Sequence, residues 1–326
     1  MKARLPPALA EVLETPRRTE RLAPPDITPW RAGNTLPGVW SFQAASPGPH
    51  LCIVALTHGN EFAGAILLDR LLREGLRPDR GRLTLVFANL DAFSRFDAED
   101  PTASRFLEED LNRLWDIATL EGPRRSSELR RARALRPVFD GADVILDLHS
   151  MLWPSDPLFL VGGPQASVRL AMELGEPALV VADHGHLGGR RLIDYGRFAV
   201  PGSGRRSVLL EAGWHWEAET VQRMEVATRR MLALAGVVPA PLARLAPPRL
   251  ARVTHTITAR SAEFTFTQPW RGGVVIPDRG TLIARDGDTE IRTPHADCML
   301  VMPSLVTSPG HTAVRLARLQ GAEDAA

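Results

Sequence analysis

Lysine occurs once, at Lys2, tyrosine once, at Tyr195, and asparagine four times, at Asn34, Asn60, Asn89 and Asn112, in a chain of 326 residues. With lysine nearly absent, arginine supplies almost all the positive charge, so an arginine at any one surface position carries little information. The rarity of asparagine works the other way, because Asn60 and Asn112 each fall inside a polar motif. Cysteine is also scarce: Cys52 and Cys298 are far apart and lack C-x-x-C spacing. That argues against a disulfide scaffold or a cysteine-based zinc site and for a reducing compartment. Neither sign of charge is in excess, since 39 Lys plus Arg face 38 Asp plus Glu. No long-range field therefore calls for a nucleic acid or a membrane surface, and a small molecule is the expected partner, with a homodimer allowed. A long apolar run is missing too. Residues 1–25 are broken by prolines and charges, so neither a signal peptide nor a membrane span is expected, and the cytoplasm is the expected location.

What is present is a core-forming chain, 44% hydrophobic, long enough for one large domain and a smaller one. Segment 51–56 (LCIVAL) is a nearly continuous apolar run, as in a strand buried on both faces. A helix over 62–74 follows, with Ile66, Leu67 and Leu71 on one face and Gly75 as its stop. Strands are expected at 83–88 (LTLVFA), 144–148 (VILDL) and 207–210 (SVLL), with helices at 127–138 and 217–234 between and after them. This alternation predicts an α/β fold with a mixed, mainly parallel sheet carrying helices on both faces. Segment 237–250 holds four prolines in fourteen residues and reads as a linker. Beyond it, short alternating segments separated by turn dipeptides predict a small β-barrel or sandwich. The expected organisation is a catalytic domain at 1–240, including an extension at 1–46, a Pro-rich linker at 241–250, and a β-rich domain at 251–326.

Three predicted strands run directly into chemistry-bearing residues. LCIVAL leads to Thr57-His58-Gly59-Asn60-Glu61, VILDL to His149-Ser150, and SVLL to Glu211-Ala212-Gly213. Ligands of open α/β sheets bind outside the strand carboxyl ends, so these residues are expected to converge. Two imidazoles and a carboxylate form a ligand set for catalytic zinc that leaves a position for water, and Glu211 is then placed to act as base. Gly59 gives the tight turn its backbone freedom. Asp147 shares strand parity with His149 and either orients its imidazole or satisfies a buried backbone donor. Each residue read singly has a plainer reading: a structural histidine, or a first-turn carboxylate stabilised by the helix dipole. Their joint occurrence favours the metal. Segment 105–113 (RFLEEDLNR) offers Arg105, Asn112 and Arg113 as donors for an acidic substrate. On its own it reads as a charged helix face with a Glu109–Arg113 pair.

In their order along the chain, HGNE (58–61), RFLEEDLNR (105–113), DLHS (147–150), LLEAG (209–213) and GTLIARDGDTE (280–290) resemble the succinylglutamate desuccinylase and aspartoacylase family, a branch of the zinc carboxypeptidase-like fold. The resemblance spans roughly 50–320. It implies one Zn2+ per chain held by His58, Glu61 and His149, with Glu211 as general base and Arg105 polarising the scissile carbonyl. It also implies Asn112 and Arg113 gripping the substrate carboxylate. The implied activity is zinc-dependent hydrolysis of the amide bond of a small N-acyl amino acid. The alternatives are a metallocarboxypeptidase acting on short peptides and a metal-binding member without catalysis. After DLH the chain continues Ser150-Met151-Leu152-Trp153-Pro154 rather than with small polar residues and an arginine, which implies a less polar acyl pocket. A substrate-binding tyrosine from the C-terminal domain is absent. Segment 183–189 (DHGHLGG) is expected as a glycine-rich loop carrying His184 and His186, at least one of them on the surface.

Overall fold

The computed structural model describes residues 22–100, 102–185 and 188–321. Two compact units divide them: one is 22–150 with 157–248, and the other is 151–156 with the chain from 249 onward. His186 and the extension before residue 22 lie outside the described residues.

The larger unit is a seven-stranded sheet. Its strands are β1 (Val39–Gln43), β2 (Ser46–Ala55), β3 (Arg80–Phe87), β4 (Val144–Met151), β5 (Leu158–Val161), β6 (Leu179–Ala182) and β7 (Arg206–Trp214), in the spatial order β1-β3-β2-β4-β7-β5-β6. The β3-β2-β4 centre is parallel, as is β5-β6, whereas β1 joins β3 and β5 joins β7 antiparallel. The sheet is therefore mixed, as the alternation predicts. β4 and β7 are buried along almost their whole length and β2 from His50 onward, which is why they read as apolar runs rather than as alternating patterns.

The helices are α1 (Ala63–Arg73), the short α2 (Leu90–Phe93) and α3 (Ile117–Glu121), then α4 (Ser127–Asp140), α5 (Gln165–Leu174) and α6 (Ala218–Leu234). Cys52 and Val54 of β2 face a core cluster with Leu129, Ala132, Leu135 and Phe139 of α4. The opposite face meets α1, where Gly64 sits against Ala55 and Leu148. Successive strand residues thus serve opposite helix layers. Helix α1 ends as expected at Gly75, whose φ of +70° suits a residue without Cβ.

The smaller unit is antiparallel. Strands β8 (Arg249–Thr258), β10 (Val275–Ile276), β13 (Cys298–Val301) and β14 (Thr312–Leu319) lie in the order β8-β14-β13-β10, and β9 (Phe264–Phe266), β11 (Leu282–Asp286) and β12 (Thr289–Arg292) form a second sheet. Phe266, Ile283, Leu300 and Leu316 share its core. Among the described residues no helix is long and apolar enough to cross a membrane.

Candidate metal centre

The centre is built where β2, β4 and β7 stand side by side. β2 ends at Ala55, and Leu56 follows in the left-handed region with φ +59°, a conformation that costs a branched residue on the order of 1–3 kcal/mol. This sharp departure from the sheet delivers Thr57, His58 and Glu61 as a buried turn ahead of α1. Gly59 makes the turn possible through space rather than through unusual dihedrals. A Cβ at Gly59 would lie 2.4 Å from Ser104 O and 2.5 Å from both Ala92 C and Phe93 N. The expected reason for this glycine, backbone freedom, is therefore replaced by close approach: two other backbone segments press against it.

His58, Glu61 and His149 come together as a buried group able to hold a metal ion. Nδ1 of His58 lies 2.8 Å from Glu61 Oε1, and Nδ1 of His149 lies 3.0 Å from Glu61 Oε2. The far nitrogens are backed by carboxylates as well. Nε2 of His58 lies 2.9 Å from Asp110 Oδ1, and Nε2 of His149 lies 3.0 Å from Asp147 Oδ2, a contact whose alignment falls short of a hydrogen bond. Thr57 Oγ1 donates to Asp147 Oδ1 at 3.0 Å and fixes that carboxylate. Carboxylates behind imidazoles are the usual means of orienting metal-bound histidines, so the donor set fits a divalent ion such as zinc.

The electrostatics follow from this geometry. Burial opposes ionisation of Glu61, but the two imidazoles outweigh it and hold its carboxyl well below the usual range. Burial likewise opposes the charge on His149, but Asp147 and Glu61 raise it well above the ordinary histidine value. Asp110 is held low despite burial by His58 and Arg105.

Arg105 lies beside the three candidate ligands. Its Nη1 donates to Glu61 Oε1 at 3.1 Å and its Nη2 to Asp110 Oδ2 at 3.3 Å. Burial works against its charge, and Asp110, Glu61 and Glu211 together more than offset that. Glu211 is thus electrostatically within reach of Arg105. It is buried within β7, opposite Leu158. Neither His149 nor Glu211 lies beyond a strand end as expected, because β4 continues to Met151 and β7 to Trp214.

Segment 105–113 is not a helix face. It turns irregularly until Leu111–Arg113, a single 3-10 turn that Asp110 caps by accepting from Asn112 N. The i,i+4 geometry needed for a Glu109–Arg113 pair is therefore absent, and Glu109 instead meets Arg124 at 3.0 Å. Asn112 is buried, with Oδ1 accepting from Leu192 N at 2.9 Å. Arg113 donates to Asn112 O at 2.8 Å, and its Nη2 stands 4.0 Å from Asp110. His184 is exposed. Tyr195 is core: its hydroxyl donates to Asp140 and accepts from Arg136.

Two residues of the site had no signal in the sequence. Asp110 is one of three consecutive acids, with nothing to single it out. His215 follows β7, is buried, and shares a 2.7 Å hydrogen bond with Ser150, whose backbone N–H donates to Glu61 Oε2 at 3.1 Å. Burial pushes the His215 imidazole down to about 4, so it is neutral at ordinary pH.

A family model, the succinylglutamate desuccinylase/aspartoacylase catalytic domain, matches residues 47–235. The chain is 28% identical over 290 residues to a succinylglutamate desuccinylase of Paraburkholderia xenovorans, covering 79% of this chain and 78% of that protein. It is also 28% identical over 116 residues to mouse aspartoacylase, covering 33% of this chain and 36% of that one. The crystal structure of a succinylglutamate desuccinylase from Vibrio cholerae shares the fold with a TM-score of 0.67 at 18% identity, over 87% of this chain and 86% of the other.

Proposed function

Because the chain belongs to the succinylglutamate desuccinylase/aspartoacylase family, we propose that it hydrolyses the amide bond of a small N-acyl amino acid, with one zinc ion held by His58, Glu61 and His149. The observation that carries this reading is the pair of imidazoles meeting one carboxylate through Nδ1, each backed by a second carboxylate, with Arg105 alongside. Zinc bound there would supply Lewis acidity, lowering the pKa of water and polarising a carbonyl oxygen.

The remaining work falls to the chain itself. Glu211 takes a proton from the attacking water and returns it to the leaving nitrogen, so that a C–O bond replaces the C–N bond and the products are a carboxylate and an amine. Arg105 donates to the carbonyl oxygen as charge develops on it. Arg113 and the amide Nδ2 of Asn112 receive the substrate carboxylate, a role suited to a fork-shaped donor whose side chain is 24% exposed. Two buried free cysteines suit a reducing cytoplasm. A catalytic domain at 1–240, a linker at 241–250 and a β-rich domain at 251–326 belong to the same reading.

The test is a panel of N-acyl amino acids varying in acyl group and amino acid, together with short peptides, assayed on zinc-loaded protein and on Glu211→Gln. Turnover of the N-acyl amino acids by the native protein is expected, and Glu211→Gln should keep its zinc while losing turnover. Cleavage of peptides alone would replace the substrate class, and full activity in Glu211→Gln would remove the base.

A further inference from the structure

Glu128 occupies the first turn of α4 and is 1% exposed. A carboxylate there would ordinarily be a solvated group favoured by the helix dipole. This one is turned inward, and among the described residues it forms no ion pair. Its charge is met by N–H groups instead. Oε1 accepts from Leu107 N at 2.7 Å and Asn89 Nδ2 at 3.2 Å, while Oε2 accepts from Glu108 N at 3.1 Å and Glu109 N at 3.3 Å. Three consecutive backbone amides thus converge on one side chain, in a stretch that lacks helical or ladder hydrogen bonds of its own.

The gripped stretch lies between the two groups that matter. Arg105 is two residues before Leu107 and Asp110 is one residue after Glu109, and these reach Glu61 and His58 respectively. The other side of the grip leads to the ligand turn as well. Asn89 donates its backbone N–H to Leu56 O at 2.8 Å, and its Oδ1 caps α2 at Ala92 N. A closed circuit results: from Leu56 through His58 to Asp110, back along the tethered amides to Glu128, and through Asn89 to Leu56. Gly59 N donating to Arg105 O at 3.0 Å adds a second tie across it.

We propose that Glu128 is a positioning residue for the metal centre, fixing the path of residues 107–109 so that Asp110 orients His58 and Arg105 is held at the ligands. The inference rests on the zinc hydrolase reading for the purpose of Arg105, and on the geometry alone for Asp110 and His58. Glu128→Gln keeps the volume but turns an NH2 toward backbone N–H donors, so the tether is broken without a cavity.

The test is a double-mutant cycle on zinc affinity, measured by competition with a chromophoric chelator and needing no turnover. Glu128→Gln is expected to weaken zinc binding about tenfold, as loss of a partner behind a ligand does. It should add no more than about twofold when Asp110→Asn is already present, because both changes interrupt one circuit. Amide hydrogen exchange at 107–109 should quicken in the same variant by more than exchange in β2 and β4. Glu128→Asp, one methylene shorter, should be intermediate, and it carries the same cycle if the Gln variant does not fold. Native zinc affinity in these variants, or effects that multiply in full with Asp110→Asn, would overturn the proposal. A chain that follows the cycle yet hydrolyses no N-acyl amino acid would leave the positioning role standing and remove the reaction. One that hydrolyses them with independent effects would do the reverse.

Discussion

Asp110 stands behind His58, its Oδ1 2.9 Å from the Nε2 of an imidazole whose other nitrogen faces Glu61, while its Oδ2 holds Arg105. One carboxylate therefore backs a candidate metal ligand and restrains the arginine proposed to meet the substrate. Asp110→Asn should reduce zinc affinity by about 10- to 100-fold, read by chelator competition at fixed pH. An unchanged affinity would mean that His58 is oriented by the turn alone.

Arg105 should behave as a group engaged in the transition state. Its removal in Arg105→Ala is expected to lower kcat by roughly 100-fold with little change in KM. Arg113→Ala should instead raise KM while kcat holds, because a carboxylate grip serves substrate and transition state alike. Steady-state kinetics on a turned-over N-acyl amino acid separate the two, and identical KM-only effects would argue against the division of labour.

Gly59 leaves no room for a methyl group, since the nearest atoms to a Cβ there are backbone at 2.4–2.5 Å. Gly59→Ala should destabilise the fold by about 1–3 kcal/mol in urea denaturation, the range for overpacking, and weaken zinc binding by prising the turn away from Ser104. Gly163 supplies the control: a methyl group there would meet nothing within 4 Å, and its Ala variant should unfold like the native chain.

His50 sets a pH dependence away from the metal centre. It donates from Nδ1 to Gly141 O, accepts at Nε2 from Thr84 Oγ1, and is buried, so its pKa is lowered chiefly by burial. The unfolded chain then takes up a proton at this site more readily than the folded one. The resulting stability is present above the unfolded value of about 6.5 and is lost as pH falls through it toward the folded pKa. Denaturation at pH 7.5 and pH 5.5 should show a larger loss in the native chain than in His50→Asn. Equal losses would mean that the buried imidazole titrates normally.

The sequence carried the candidate metal ligands because their neighbours are apolar: LCIVAL and VILDL mark buried strands, and a histidine or glutamate beside them stands out. It did not carry their supports. Asp110 lies among like charges, Glu128 opens a charged helix as countless solvated glutamates do, and His215 has no periodic context. Their roles arise from distances that only the folded chain sets. The same holds for secondary structure. Leu158–Val161 and Leu179–Ala182 are four-residue apolar runs, too short for periodicity to speak, and they become strands by pairing with β7 and with each other. Segment 105–113 has helical-looking charge spacing, but in the folded chain three of its amides donate to Glu128 rather than along a helix.

Ionic strength distinguishes the two kinds of charge in this site. Glu128 is 1% exposed and is balanced by peptide and carboxamide N–H groups, so dissolved ions cannot reach its carboxylate. The side chain of Arg113 is 24% exposed, and its charge is screened within a Debye length of about 10 Å at 0.1 M salt. If Arg113 receives the substrate carboxylate as proposed, salt loosens that capture while leaving the Glu128 tether in place, and the site keeps its geometry in solutions where its grip has weakened.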